Sequence, residues 1–480
     1  MGLIFLQTRE MLKINFRNNK ELIINWTLAI GSMAVFLVAK LSDLSFRFGD
    51  GNAYIYMAER LSFKLLPYRD FFLADPPGLL YVLSLFKLFI GQHWLYFQAV
   101  PVLFEVSSAF LIFLILKKES VRFIFLGPLF YLTGFSVLAT SDFLTGVQVV
   151  TFFSLLAVFY SLKNHPIISG FFWAIAVSVK LYAGPLFIAW LIVNYIQNKN
   201  FKPIILTVAV SAGIFLLLVF PFLIIDLKSF INDTIIHHLN RPYGAEKTAV
   251  FALFFHYAWA MGFLAVCSVF IRKTWKYIFP AVVMFVFFML FKDLYFLYLN
   301  YVFGFLAIGA VFLLERLFFS EDGLPLFIIA TVIIGLMSVN SLNSYMKDFK
   351  DRGRFLNVEQ ISTYIKDKYP DQNIRLYGSH EVAPLVALFS EKQLFGGLID
   401  TNAQVFGSDT LDKKLISRDV AQAKTILLTR VTEYPEYKIF EYGYEGFFDK
   451  DVFLGQCKKD VFFQSDAKEA TNYVGLFFCQ

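Results

Sequence analysis

The chain has 480 residues, 58% of them apolar and 60 of them Phe, with a mean hydropathy of +0.60. Soluble domains are roughly 45–50% apolar, so this composition excludes a soluble globular protein and predicts a mostly α, polytopic membrane protein. The net charge of +6 is no nucleic-acid footprint: 18 basic and 20 acidic residues lie from Leu342 onward, so the basic excess belongs to the membrane part, where it sets orientation.

The first segment, residues 1–21, is a short apolar patch followed by a basic stretch without a small-residue cleavage site. It reads as a cytoplasmic N-terminus rather than a cleavable signal. Apolar runs suited to a ~30 Å hydrocarbon core predict about eleven spans, at 22–41, 95–116, 123–140, 144–162, 166–179, 181–197, 203–224, 249–271, 277–291, 294–314 and 324–341. Basic residues recur at every second boundary: Lys13, Arg17 and Lys20, then Lys117, Lys118 and Arg122, then Lys163, then Lys199 and Lys202, then Arg272, Lys273 and Lys276. By the positive-inside rule these ends are cytoplasmic. The Asp43–Trp94 insert, the turn at Asp142, the Asp226–Thr248 loop and the C-terminal tail then lie outside the plasma (inner) membrane.

The insert at 43–94 carries five acids and five bases. A charge at the centre of a span costs ~2.5–3.5 kcal/mol, so charges kept at a membrane boundary point to function. Tyr54, Met57, Ala58, Leu61 and Leu65 repeat at helical spacing opposite Glu59, Arg60 and Lys64, which predicts a helix lying in the interface plane. Gly78 to Ile90, introduced by Pro76 and Pro77, reads as a second interfacial helix. Counting it as a span would move the later basic clusters outside. After Leu342, EQISTYIKDKYPDQNIRLYGSHE reads as helix, turn, strand and helix, and AKTILLTR and NYVGLFFC as strands. A small extracytoplasmic α/β domain over 342–480 is expected, behind a membrane domain over 22–341. The three cysteines are too few for a disulfide framework or a zinc pattern; Cys457 and Cys479 stay open between a pair formed in an oxidising compartment and two free thiols.

Several polar residues carry two readings. Asp50 is either the N-cap of the first interfacial helix, worth about 1 kcal/mol, or a surface carboxylate able to take a proton from a hydroxyl. Asp75 is a turn former or a site acid, Asp70 a partner of Arg69 or a site acid, and Asp142 a solvated tip or a second acid. Lys180 ends a span, where it snorkels or meets a lipid phosphate. In the 226–248 loop, Arg241 has the donor fork for a phosphate. His237 and His238 are adjacent, a poor arrangement for one metal on a helix. One of them is expected to pair with a carboxylate of the insert. Walker, Rossmann, HExxH and nucleophile-elbow spacings are missing, and the carboxylates of the insert are too spread out for a DxD site.

One span followed by Asp50-Gly51-x-x-Tyr54 with Ala58, then Pro67-Tyr68-Arg69-Asp70, then Asp75-Pro76-Pro77-Gly78, resembles the GT-C membrane glycosyltransferases. The branch it looks most like holds the protein O-mannosyltransferases and the lipid A aminoarabinose transferases. The segments GFFWAIAVSVKLYAGPL and SDFLTGVQ resemble further family segments. Two departures stand out: Gly51 follows Asp50 where many relatives have a second acid, and Asp75 stands where relatives often have lysine, histidine or glutamate. The resemblance implies inverting transfer of one sugar from a polyprenyl-phosphate donor to a glycan, lipid or protein acceptor on the outer face. It implies Asp50 as base, Lys180 and Arg241, helped by Arg69, on the phosphate, and Asp142 or Asp75 orienting sugar or acceptor. Tyr54, Asp70, His237 and His238 complete the expected substrate contacts. The resemblance assigns no certain cofactor, and a divalent metal stays open. Rival readings are a lipid-linked sugar flippase, which would be expected to show internal repeats with broken spans at matching positions, and a polysaccharide polymerase.

Overall fold

The computed structural model describes residues 2–244, 246–434, 439–464 and 472–480. Among them, seven helices are long and apolar enough to cross a bilayer: Lys20–Leu41, Trp94–Lys118, Lys202–Asn240, Lys247–Phe270, Arg272–Leu290, Phe296–Phe319 and Leu324–Phe349. The chain is a multi-pass membrane protein. The other four predicted spans are shorter helices packed into the bundle. The stretch 123–140 breaks at Gly134 into Leu126–Thr133 and Phe135–Thr140, because the ring of Phe303 occupies the place of a side chain there, 2.2 Å from a would-be Cβ. Val147–Leu162, Pro166–Val179 and Ala183–Asn198 are the remaining three.

Ion pairs tie the helix ends into two faces. At one end Glu21 pairs with Arg122, and Lys276 with Glu119 at 2.7 Å, so three of the basic boundaries share a face. At the other end Asp142 accepts from Lys40 Nζ at 2.8 Å and from the Tyr345 hydroxyl at 2.8 Å, and Arg47 donates to the Arg352 carbonyl at 2.8 Å. The insert, the Asp142 turn, the 226–248 loop and the C-terminal domain therefore meet on one face.

The insert holds the helices Gly51–Ser62 and Gly78–Ile90. The first does not lie on lipid as expected. Every residue from Gly51 to Glu59 is buried: the C-terminal domain packs on the Asn52 and Tyr56 side, and Glu59 pairs with Lys87 of the second helix, while Lys64 stays exposed. Asn52 donates to the Glu381 carbonyl at 2.6 Å, and the Tyr56 hydroxyl accepts from the Leu394 amide at 3.3 Å. The second helix keeps Leu88 and Phe89 about four-fifths exposed, as a lipid-facing helix does.

In the C-terminal domain, strands β1 (Leu376–Gly378), β2 (Thr425–Tyr434), β3 (Ile439–Glu441), β4 (Cys457–Gln464) and β5 (Asn472–Cys479) form one sheet in the order β1-β2-β5-β4, with β3 on the far end of β2. β1 runs parallel to β2, with Leu376 opposite Ile426, and the other pairings are antiparallel. Ile361 and Ile365 of helix Val358–Lys368 and Val386 of helix Ala383–Ser390 join Leu428 and Leu476 in the core. Cys457 and Cys479, partners across β4 and β5, form a disulfide, which resolves the alternative left open by the sequence.

Candidate functional site

Asp50 precedes the buried helix of the insert with φ −55° and ψ −25°, and its side chain makes no capping bond. The cap reading falls away. Oδ1 instead accepts a hydrogen bond from His380 Nε2 at 3.1 Å. His380 follows the carboxyl end of β1, the end of a strand where α/β proteins gather their sites. Half of the Asp50 side chain is accessible, but only from within a recess walled by protein.

The run Ala74-Asp75-Pro76-Pro77 delivers Asp75 to the same recess. The following Gly78 must have no side chain: a Cβ there would lie 2.6 Å from the Ser178 backbone carbonyl. That close approach sets Asp75 beside Lys180, two residues beyond Ser178. Lys180 Nζ forms a buried ion pair with Asp75 Oδ2, and both side chains are nearly excluded from solvent. The Tyr54 hydroxyl joins them, 3.0 Å from Asp75 Oδ2 and 3.2 Å from Lys180 Nζ.

A third wall comes from the end of the long helix Lys202–Ile231, which is kinked at Asp226 and runs through a π-turn into His237–Asn240. It delivers His237, His238 and Arg241. His238 Nε2 donates to the Ala74 carbonyl at 2.8 Å, so the expected pairing of a histidine with a carboxylate of the insert is replaced by a bond to the backbone beside Asp75. His237 Nδ1 meets Ser408 Oγ at 2.8 Å. Arg241 reaches Asp293 at 3.2 Å. The fourth wall, Asp400 to Gln404, belongs to the C-terminal domain.

These walls enclose a cavity of about 300 Å³, lined by Asp50, Tyr54, Asp75, Lys180, His237, His238 and Arg241. Its other side is apolar: Ile235, Leu239, Phe287 and Phe291, with Leu239 and Ile235 exposed on the outer surface of the helix bundle. A second cavity of about 420 Å³ lies beyond Asp50, toward the C-terminal domain, and reaches His380, Glu381 and Tyr295. Asp50, Tyr298 and Asn402 line both.

Charge is distributed accordingly. Burial pushes the Asp50 carboxyl up. The hydrogen bond and charge of His380, with Lys180 and Arg241, outweigh it and hold the group below its ordinary value. Burial works against the His380 imidazolium, yet its bond to Asp50 lifts it to about 9. Burial pushes Asp400 up, and the Asp50 charge adds to the rise. At neutral pH Asp50 is thus an ionised acceptor with a second oxygen free of any protein hydrogen bond among the described residues.

Seven of the residues singled out by sequence converge here. Arg69, Asp70 and Asp142 do not. Arg69 and Asp70 pair with each other at 2.7 Å, where Arg69 is open to solvent and Asp70 Oδ2 also accepts from the Leu66 amide, closing a local turn. Asp142 binds Lys40, Arg47 and Tyr345, clamping helix ends rather than facing either of the two cavities. His380, Asp400, Asp293 and Tyr298 were missed. The only hint for His380 was its place directly after a short strand; the rest carry no local signal. Among the described residues no three His, Cys, Asp or Glu side chains gather to hold a metal, and both histidines of the cavity are engaged by protein groups.

A helical membrane bundle with charged interfacial helices and a small α/β domain closed over them is a fold shared with several solved structures. Among solved structures, that of ArnT from Cupriavidus metallidurans bound to undecaprenyl phosphate is similar at a TM-score of 0.59 and 12% identity, covering 95% of this chain and 97% of that one. The apo structure of ArnT from the same organism gives 0.58 and 13%, over 96% and 98% of the two chains. The arabinofuranosyltransferase AftD from Mycobacteria gives 0.56 and 12%, over 94% of this chain and 40% of that one. No family model matches the chain, and no curated protein sequence does.

Proposed function

We propose that the protein is an integral-membrane glycosyltransferase of the plasma (inner) membrane. It moves one sugar from a polyprenyl-phosphate-linked donor to an acceptor hydroxyl on the outer face, with inversion. Residues 22–341 form its membrane domain and 342–480 its outer domain, and the N-terminus is cytoplasmic. The observation that carries this reading is the convergence of an ionised Asp50 with Lys180 and Arg241 in one cavity that has an apolar side. The cations suit a lipid phosphate and the apolar side suits the start of an isoprenoid chain. The ArnT structure bound to undecaprenyl phosphate supports the same class of donor.

In the step, the acceptor oxygen attacks the anomeric carbon and the bond from that carbon to the phosphate oxygen breaks. The electron pair leaves on the phosphate, and the acceptor proton passes to Asp50. A phosphate leaving group needs charge stabilisation more than a proton, which Lys180 and Arg241 supply. Tyr54 and Asp75 hold the Lys180 ammonium in place. His237 and His238 wall the donor side.

The test is release of polyprenyl phosphate by the purified protein from a panel of lipid-linked sugars, with and without Asp50→Asn. Release that survives the substitution removes Asp50 from the mechanism. Movement of the lipid-linked sugar across a bilayer without release overturns the transferase reading in favour of transport.

A further inference from the structure

At the end of the bundle opposite Asp50, helix Ala183–Asn198 ends beside the turn that joins helices Lys247–Cys267 and Trp275–Leu290. Between them lies a cavity of about 500 Å³ whose lining includes Ile196, Gln197, Arg272, Lys273, Trp275 and Lys276. The turn is closed on itself. The Thr274 amide and hydroxyl donate to the Ile271 carbonyl at 2.9 and 2.7 Å, and the Ile271 amide donates to the Ser268 carbonyl at 2.8 Å. Arg272 and Lys273 are thereby held at the cavity, both exposed.

On this face Arg122 pairs with Glu21 and Lys276 with Glu119, but among the described residues Arg272 and Lys273 make no side-chain ion pair or hydrogen bond. Glu119 and Glu315 act on this cluster from outside the cavity: Glu119 is engaged by Lys276, and Glu315, which feels the Lys273 charge, accepts from the Arg122 amide at 2.6 Å. Set against the three cations of the lining, these two acids leave an excess of one positive charge. Two apolar stripes begin at the cavity and run toward the other side of the membrane. Ile196, Ile192 and Ile188 are each about half exposed at helical spacing on one helix, and Trp275, Val282 and Val286 on the other.

We propose that this cavity binds an anionic phospholipid, with the phosphodiester headgroup against Arg272 and Lys273 and the two acyl chains along the two stripes. Basic pockets between helix ends at the cytoplasmic side take such headgroups, and the basic boundaries read this face as cytoplasmic. The excess of one positive charge matches the single negative charge of a phosphodiester. A zwitterionic phospholipid would bring its own ammonium to a cluster already positive. A soluble anion would leave both stripes unused, and a polyprenyl phosphate has one chain for two stripes. Trp275, stacked on Phe279 at 6.0 Å between ring centroids, stands at headgroup level as interfacial tryptophans do. The site is separate from the recess at Asp50: Phe287, which lines that recess, lies toward the far end of helix Trp275–Leu290. The inference therefore stands or falls independently of sugar transfer.

The experiment is native mass spectrometry of the full-length protein, titrated in detergent with dioleoyl phosphatidylglycerol or dioleoyl phosphatidylethanolamine. Each lipid is tested alone and with inorganic pyrophosphate or undecaprenyl phosphate as competitor. A basic residue near a lipid surface is worth about a fivefold change in affinity, so one phosphatidylglycerol is expected to bind about tenfold or more tightly than phosphatidylethanolamine. Arg272→Gln/Lys273→Gln should remove that preference. Gln197→Glu, which places an acid on the cavity wall and deletes no cation, should lower it about threefold or more. Lys118→Gln, at an exposed base on the same face outside the cavity, should leave it unchanged. An unaltered elution profile on size exclusion checks the fold of each variant, and Gln197→Glu carries the test where the double variant does not fold. No preference for phosphatidylglycerol, a preference that survives the cavity variants, or an equal loss in Lys118→Gln overturns the assignment. Displacement by equimolar pyrophosphate makes the occupant a soluble anion, and displacement by equimolar undecaprenyl phosphate makes it a polyprenyl lipid; either result also overturns it. Protein carrying phosphatidylglycerol and undecaprenyl phosphate at once is the expected outcome of that competition.

Discussion

Asp50 and His380 lie 330 positions apart in the chain and meet at 3.1 Å where the C-terminal domain closes over the insert. The bond occupies one carboxylate oxygen and leaves the other facing the two cavities. A positioned base typically contributes about 10²–10⁴-fold. Asp50→Asn, which keeps the shape and the hydrogen bond, is expected to lower turnover by that factor while polyprenyl phosphate still binds. Turnover assays and a lipid-binding assay on the same preparation check both halves.

His380 also gives the protein a pH signature. Its folded value of about 9 lies above its ordinary 6.5, so the stability it lends is complete below the ordinary value and is lost as pH rises through about 9. Asp50 shifts the other way. Its contribution is present above the ordinary carboxylate value of 3.8 and fades as pH falls below it. Melting temperatures measured between about pH 6 and pH 10 are expected to decline on the alkaline side, and His380→Gln should flatten that decline. An identical slope in the variant would show that another group titrates.

The buried pair of Lys180 with Asp75 makes the two single variants unequal in kind. On the proposed reading Lys180→Met removes a cation that meets the donor phosphate, and it is expected to abolish polyprenyl phosphate binding. Asp75→Asn leaves an ammonium without its countercharge, for which the usual cost of breaking a buried pair is about 3–5 kcal/mol. Lowered thermal stability in Asp75→Asn, restored in the double variant Asp75→Asn/Lys180→Met, is the expected pattern.

Gly78 offers a test of how the site is positioned. An added methyl would press on the Ser178 backbone at 2.6 Å. Overpacking of this kind costs about 1–3 kcal/mol. Gly78→Ala is therefore expected to destabilise the protein and to weaken phosphate binding, since it drives Asp75 and Lys180 apart. Gly213→Ala, within helix Lys202–Ile231 where nothing lies within 4 Å, tests for a generic glycine effect and should leave phosphate binding alone.

The Cys457–Cys479 disulfide closes a loop across a separation of 22 residues. Loops of that size gain about 3 kcal/mol from the cross-link. Reductant, or the paired Ser variant, is expected to lower the unfolding temperature of the C-terminal domain. An unchanged melting curve after complete reduction would contradict it.

The fold was legible because bilayer-crossing runs and alternating basic boundaries are local signals. Glu21 with Arg122 and Lys276 with Glu119 bear the alternation out as contacts on one face. The four short spans were harder, because helices such as Pro166–Val179 rely on packing within the bundle rather than on their own length. In the site, Asp50, Tyr54, Asp75 and Lys180 could be found since they sit in charged motifs beside apolar runs. His380 and Asp400 could not, because their place is set by the sheet that carries them over the membrane domain. Arg69 and Asp70 misled for the opposite reason: a conspicuous local motif serves its own turn. The buried face of helix Gly51–Ser62 escaped for the same cause as His380, since amphipathic spacing cannot say what will cover a polar face.

The long sequence gap between the carboxylate and its imidazole has a consequence for biogenesis. The insert that carries Asp50 emerges from the ribosome 330 residues before His380, which follows β1. A polypeptide not yet extended to residue 380 thus holds an unmated aspartate, and the two compartments flanking it exist only once the lining residues up to Val405 and Phe447 have been made. Assembly of the recess is in this way tied to synthesis of the segment that carries His380, so a product cut short before it lacks the imidazole that orients Asp50.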